Sequence, residues 1–351
     1  MNKTIVILVV LSMGFWTCKK EEAETEELPQ SSTIYYISNE GAFGFENASL
    51  TAYYPLENKV VNNAFEQVNN RGLGDVLQST YHYNNKLFML VNASSKIEIA
   101  ETPSLKEIGV ITNISMPRYM VGDGNIGFVS SWGNGGEVVV MDLETNKIIK
   151  NISVGSGPEH LLVSDQSIIV CNSGGFTTDS TLSIIDKNSY HIIKTLEIGD
   201  IPIDLVSAKN NSVWVLCKGQ IIYNASWQII GHTPSKLIKL SNSNLTIEKE
   251  IELFDNQHPS QLALNYNKDI LYIGGGFGFK GIYKFDLSTE QFDTNAVNDK
   301  MFYGISYGKE SILAGFESPD FSSSGKVYLM DDSAKVEKVF TVGIGPNGMS
   351  W

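Results

Sequence analysis

Pro158-Glu159-His160-Leu161-Leu162-Val163, then Ser167 to Asn172, a glycine-bearing loop through Gly174 and Gly175, Thr181 to Asp186, and His191 to Gly199: this phrase decides the fold. Short runs rich in Val, Ile and Leu alternate with Gly, Asn, Asp and Ser, the pattern of strands joined by turns. One phrase makes one four-stranded antiparallel sheet. The phrase returns along the chain, with starts near Asp75, Pro117, Pro158, Pro202, Pro259, Tyr303 and Pro346 and spacings of 42, 41, 44, 57, 44 and 43 residues. A fixed period of this length marks repeated blades. The long spacing holds an insertion around Ile221 to Pro234. The hairpin between third and fourth strands recurs on its own account, at 55–59, 101–106, 142–147, 186–189, 241–244, 286–290 and 331–333, and this counts seven units. No segment keeps a helical period.

The two ends point to a ring. Residues Pro346 to Trp351 read as a first strand that stops, and Thr33 to Asn39 as a second strand with no first strand before it. If the last strand completes the blade that the N-terminal segment begins, both deficits vanish and no sheet edge stays open. The expected fold is therefore all-β, a seven-bladed β-propeller of four-stranded antiparallel blades over residues 33–351. Closure by the C-terminal strand is expected to bury Trp351.

Composition sets outer limits. The 351 residues are 42% apolar and 19% charged, which fits a large globular core. The net charge of -13, with Lys and Arg dispersed, excludes the basic stripe of a nucleic-acid reader. At the N-terminus, Lys3 precedes an apolar run from Thr4 to Trp16 that meets Cys18. A charged start and a short apolar core make a secretory signal, too short to span a bilayer comfortably. Phe15-Trp16-Thr17-Cys18 resembles a bacterial lipobox, so residues 1–17 are expected to be removed and Cys18 lipidated. Residues 18–32 then form an acidic tether, and Lys19-Lys20-Glu21-Glu22 resembles the export signal of Bacteroidetes surface lipoproteins. Cys171 and Cys217 are expected to be two small buried thiols.

In a propeller, the loops between blades and those joining second to third strands open on one face. The blade-to-blade loops carry the candidates Arg71, Asp75, Arg118, Tyr119, Glu159, His160, Asp204, His258, Tyr303 and Asn347. The second-to-third-strand loops carry Asn39, Phe43, Asn92, Trp132, Asn172, Phe176, Phe277, Phe279 and Phe316, and the insertion adds Trp227. Glu40, Phe45, Gln261 and Phe321 lie in the same loops. Turns favour small polar residues, so repeated loop aromatics mark contact surface. For any one of them packing is as good a reading. Phe277 and Phe279 alternate around Gly276 and Gly278, so one is expected to pack and the other to face out. Signals for catalysis are thin. The five histidines form no close metal-ligand pair in sequence. Glu159 and His160 are neighbours on a strand, which points them to opposite faces. No Gly-x-Ser-x-Gly nucleophile motif occurs.

Ser38-Asn39-Glu40-Gly41, Val154-Gly155-Ser156-Gly157-Pro158-Glu159, Cys171-Asn172-Ser173-Gly174-Gly175 and Ser183-Ile184-Ile185-Asp186, with the lipobox and tether, resemble the YncE-like (DUF5074-type) propeller lipoproteins of Bacteroidetes. Within that group the chain looks most like the surface cobalamin-binding lipoproteins of BtuG type. The resemblance implies a lipid-anchored protein on the outer membrane facing the cell exterior. It would capture cobalamin or another corrinoid and deliver it to a TonB-dependent transporter, and would be a monomer apart from that partner. On this reading the chain needs no cofactor and is not an enzyme. The alternatives are a binder of ferric siderophore, haem or glycan, a lactonase- or lyase-type enzyme, and a protein-interaction scaffold. The enzyme would need a titratable cluster at the central channel.

Overall fold

The structure, a computed structural model, describes residues 33–241, 244–309 and 312–351. The expected leader, the Cys18 lipidation and the tether fall outside the described residues, as do Asn242 and Ser243 of one hairpin. Seven four-stranded antiparallel sheets follow one another round a ring. Their innermost strands are Leu77–Tyr83, Pro117–Asp123, Pro158–Val163, Pro202–Ser207, Gln261–Leu264, Gly304–Tyr307 and Pro346–Ser350. Each touches the next, and the last touches the first. Blade 1 is the composite blade, and blades 2 to 7 begin at Leu77, Pro117, Pro158, Pro202, Gln261 and Gly304.

Stacking explains why the repeat reads as it does. In blade 4 the second and third strands, Ser167–Asn172 and Thr181–Asp186, are buried on both faces because a blade lies on either side. They are accordingly near-continuous apolar runs. The outermost strand, His191–Glu197, is largely exposed and mixes Ile with His, Lys and Glu. The core is a series of slabs between blades. One slab holds Ile169, Cys171 and Leu182 of blade 4 against Leu205, Val215, Cys217 and Ile238 of blade 5. Cys171 and Cys217 are free, buried thiols, and burial pushes both up in pKa.

The recurrent hairpins have a shared chemical cause. Oδ1 of Asp142 accepts from the backbone N–H groups of Glu144 and Thr145, Oδ1 of Asp186 from Asn188 and Ser189, and Oδ1 of Asp286 from Ser288 and Thr289. A carboxylate that bonds the backbone two and three residues on folds the turn by itself. Together with hydroxyl donors, foremost Ser189 at Asp186, these hydrogen bonds hold the three carboxyls below the usual range.

Closure occurs as expected, with one correction. Pro346–Ser350 pairs antiparallel with Tyr35–Asn39, in the register Tyr36 to Ser350, Ile37 to Met349 and Ser38 to Gly348. Trp351 lies just past the ladder and is 38% exposed, so closure does not bury it. Its ring meets the edge of Tyr35, at 6.3 Å between centroids. Two further features escape the periodicity. A six-residue helix, Ala64–Asn69, links blades 1 and 2 and buries Phe65. The insertion is a separate hairpin, Ile221–Tyr223 with Ile229–His232.

The closing strand, not the terminal aromatic, is what holds the ring. Deleting residues 346–351 should lower the thermal unfolding midpoint by more than about 10 °C, and Trp351→Ala by under about 3 °C. Circular dichroism melts check this, and equal shifts for the two variants would contradict it.

Candidate functional site

The marked loops converge at one end of the ring axis on a cavity of about 510 Å³. Every blade contributes: Glu40 and Phe43, Asn92, Arg118 and Trp132, Glu159 and Phe176, Lys218, Phe277, and Tyr303 line it. A second cavity of about 310 Å³ lies along the channel and includes His160 and Asp204. Gln78, Tyr119, Gln261 and Asn347 line both, and so form the neck of a funnel.

The floor is a network of ionisable groups. Arg118 Nε and Nη2 donate to Glu159 Oε2 and Oε1, each at 3.1 Å, and Nη1 donates to Gln78. The two side chains are 15% and 3% exposed, so this is a desolvated pair of the fork geometry that arginine favours. The Arg118 guanidinium also lies 4.2 Å over the Trp132 ring. Across the floor, Glu40 accepts from the Tyr303 hydroxyl at 3.1 Å and from Asn347 Nδ2 at 2.9 Å. Burial raises the Glu40 carboxyl above the ordinary range and outweighs the hydrogen bond from Asn347. Burial likewise raises Glu159, against the opposing charge of Arg118. Deeper in, His160 stacks on Tyr119 at 3.7 Å, and its Nδ1 lies 3.1 Å from Ile203 O and 3.5 Å from Asp204 Oδ1.

Above this floor stands a rim of bare aromatics. Phe43, Phe176 and Phe277 are 80%, 84% and 86% exposed. Trp132 meets Phe176 edge-on at 5.2 Å, so this pair makes one wall. Local backbone sets the wall. Gly157 holds a left-handed φ of 56°, and a Cβ there would stand 1.9 Å from Gly175 N. Only glycine lets the blade-to-blade loop lie on the loop that carries Phe176.

The structure does not gather every candidate here. Phe279 and Phe316 are buried packing groups, so of the alternating pair Phe277 faces out and Phe279 packs. Asn39 and Asn172 are fully buried and staple their blades: Asn39 Nδ2 donates to Ser49 O and Thr51 Oγ1, and Asn172 Nδ2 to Thr181 Oγ1 and Ser183 Oγ. Arg71 lies outside the funnel, bound to Glu98 and Glu107. Asp75 Oδ2 accepts from Gly44 N at 2.7 Å and so fixes the loop bearing Phe43. Asp204 faces the lower cavity and ties blade 5 to Leu262 N of blade 6. Trp227 caps the insertion hairpin, 83% exposed, beside Tyr223. Glu159 and His160 diverge into different cavities, as their alternation requires. Glu40 and Gln261, noted in the same loops, also line the funnel, and Gln78 and Lys218 are funnel residues that the sequence reading did not name.

One expectation about histidines is corrected. His232 and His258 do form a close pair, Nδ1 to Nε2 at 2.9 Å, and His258 Nδ1 is 2.9 Å from Lys218 O. The insertion hairpin brings them together across 26 residues of sequence. Among the described residues no group of three or more His, Cys, Asp or Glu is placed to hold a metal ion.

The raised Glu40 carboxyl has a consequence for stability. A carboxyl whose pKa rises on folding stabilises the fold below its unfolded pKa and loses that contribution as pH rises through the folded value. Glu40→Gln removes this loss. The midpoint of the variant relative to the parent should therefore climb by about one to a few degrees between pH 4.5 and pH 8. Parallel pH-melt curves for the two proteins would contradict the assignment.

Comparison with known proteins places the fold. A quinoprotein alcohol dehydrogenase-like protein from Bacteroides thetaiotaomicron superposes with a TM-score of 0.66 at 14% identity, over 92% of this chain and 78% of that one. The periplasmic gluconolactonase of Pseudomonas aeruginosa gives 0.63 at 12%, over 91% and 99%. A putative 6-phosphogluconolactonase from Bacteroides uniformis gives 0.66 at 11%, over 90% and 98%. No curated protein matches the chain in sequence. At such identities the likeness shows the fold alone, yet it is a fold that proteins named as enzymes use. Together with the ionisable floor, this overturns the expectation that the chain is not an enzyme: the architecture serves binding and catalysis alike. The model of a domain of unknown function, DUF5074, matches residues 34–315, and the chain belongs to that family of propellers.

Proposed function

We propose that the funnel is a small-molecule site and that its ligand is a corrinoid held at the cell surface. The observation that carries this reading is the rim: three phenylalanines left bare on one face, around a floor of hydrogen-bonding groups. Exposed rings surrounding a concave polar centre are the composition of a site for a large, partly apolar molecule. A corrinoid is wider than the cavity. Its edge would rest on Phe43, Phe176 and Phe277, and its polar appendages would reach Arg118, Asn92 and Tyr303. On the same reading Cys18 anchors the protein to the outer face of the outer membrane, and the ligand passes to a TonB-dependent transporter. The resemblance of the lipobox and tether supports that part. A siderophore, haem or glycan would meet the same rim.

A second reading has its own support in the floor. Glu40 and Glu159, both raised by burial, stand with Tyr303 and Arg118 on the funnel floor. A carboxyl raised by burial holds its proton to higher pH than an exposed one, which is the direction general acid work needs. The proteins named as lactonases share the fold, so opening of a sugar lactone is the reaction to try. In that case water would add to the lactone carbonyl and lose a proton to solvent, the ring C–O bond would break, and Glu40 would protonate the leaving oxygen.

Calorimetric titration with cyanocobalamin, beside a hydrolysis assay with gluconolactone, separates the readings. Saturable binding of cyanocobalamin is the result expected of the first reading, and turnover abolished by Glu40→Gln would establish the second. Trp132→Ala and Phe277→Ala should each weaken corrinoid binding by about 1–3 kcal/mol. Phe316→Ala should instead destabilise the fold, by about 3–5 kcal/mol. Unchanged affinity in both rim variants would sink the assignment of the rim.

A further inference from the structure

We propose that the ligand enters the funnel by an anionic group, a phosphate ester or a carboxylate, and that Lys218 receives it. This rests on the funnel being the small-molecule site, and adds the charge of what it takes.

Lys218 follows the strand Val213–Cys217 of blade 5, where the chain turns into the insertion. Its backbone is pinned at both ends: the N–H donates to Ile201 O at 2.9 Å, and the carbonyl meets His258 Nδ1 at 2.9 Å. The side chain lines the funnel, half-buried. Its ammonium makes no hydrogen bond or ion pair among the described residues. Half-buried lysines elsewhere behave differently. Lys96 reaches Glu98 at 2.7 Å, Lys239 reaches Glu290 at 2.8 Å, and Lys300 reaches Glu317 at 2.9 Å. An ammonium taken partly out of water without a counter-ion costs free energy that a partner must offset.

The funnel offers no spare partner. Glu159 already takes the fork of Arg118, and Glu40 accepts from Tyr303 and Asn347. The neighbouring wall adds another donor without an acceptor, the buried Trp132 Nε1. The Lys218 ammonium and the Trp132 indole N–H are thus two donors that the acceptor oxygens of a ligand would satisfy. Burial also lowers the Lys218 pKa, with the charge of Glu159 opposing. A bound anion would reverse that shift.

Inorganic phosphate is the probe that decides the inference, because it needs no corrinoid. At constant ionic strength, millimolar phosphate should raise the thermal midpoint of the parent protein, Lys218→Met should lose the rise, and Lys218→Arg should keep part of it. Midpoints in buffer alone show that the variants are folded, and Lys218→Gln substitutes if Lys218→Met is not. No rise in the parent, or an equal rise in the neutral variant, overturns the proposal. Calorimetry with cyanocobalamin and with dicyanocobinamide, which lacks the nucleotide phosphate, tests the corrinoid reading separately. Lys218→Met should weaken cyanocobalamin at least about tenfold, the loss of a charge-assisted hydrogen bond, and leave dicyanocobinamide unchanged. Phosphate bound through Lys218 with neither corrinoid bound would keep the anion site and discard the corrinoid. Corrinoids bound, with neither them nor phosphate sensitive to Lys218, would do the reverse.

Discussion

The pairing of Pro346–Ser350 with Tyr35–Asn39 does two things at once. It closes the ring, and it sets Asn347 at the centre of the floor. The Asn347 side chain donates to Glu40 Oε1 and to the backbone carbonyl of Gln78, and its Oδ1 accepts from Ser38 Oγ. Its backbone carbonyl approaches Gln261 Nε2 of blade 6, and Gln261 Oε1 in turn accepts from Ile305 N of blade 7. Blades 1, 2 and 6 thus meet at one residue of the closing strand, and Gln261 carries the connection on to blade 7. Any loosening of the seam reaches the binding floor directly, because fold and site use the same hydrogen bonds there.

The polarity of the floor follows from the geometry of the ring. The innermost strands converge on the axis, and their ends point backbone amides and short polar side chains into a narrow channel. Apolar residues there would leave those backbone groups without partners, at a cost each time. The floor is therefore built from Gln78, Gln261, Asn347 and two carboxyls, each with partners in place. A fully matched network is stiff. Within it, Arg118 is held by Glu159, by Gln78 and by the face of Trp132, so its position is set before any ligand arrives.

The fold was legible because blade stacking writes itself into the sequence. Strands buried on both faces must be continuous apolar runs, and hairpins folded by an aspartate repeat the aspartate. The site was legible only in part. Sequence marks the loops that face the funnel, since Phe43, Phe176 and Phe277 are out of place in turns. It does not separate these from Phe279 and Phe316, because a loop phenylalanine reads the same whether it packs between blades or stands free. Asn39 and Asn172 misled for a related reason. A polar residue at the end of a strand is as apt for stapling two strands as for meeting a ligand. Lys218 was passed over because a single charged residue beside a strand usually faces water. His232 and His258 became neighbours through a hairpin whose course the repeat does not specify. The exposure of Trp351 was missed because pairing stops one residue short of it.

A division of labour runs through the upper face. Phe43, Phe176 and Phe277 have most of their surface in solvent, while Phe279, the blade-to-blade Phe302 and the strand residue Phe316 are buried. A protein gains no stability from a bare phenylalanine, and a ring of them raises the risk of association. Their presence on the rim, above a floor where the Lys218 ammonium has no partner among the described residues, is best accounted for by something that covers them. That something must bring apolar surface for the rings and acceptor oxygens for the floor. A purely apolar partner would strand the ammonium, and a small hydrophilic one would leave the rings in water.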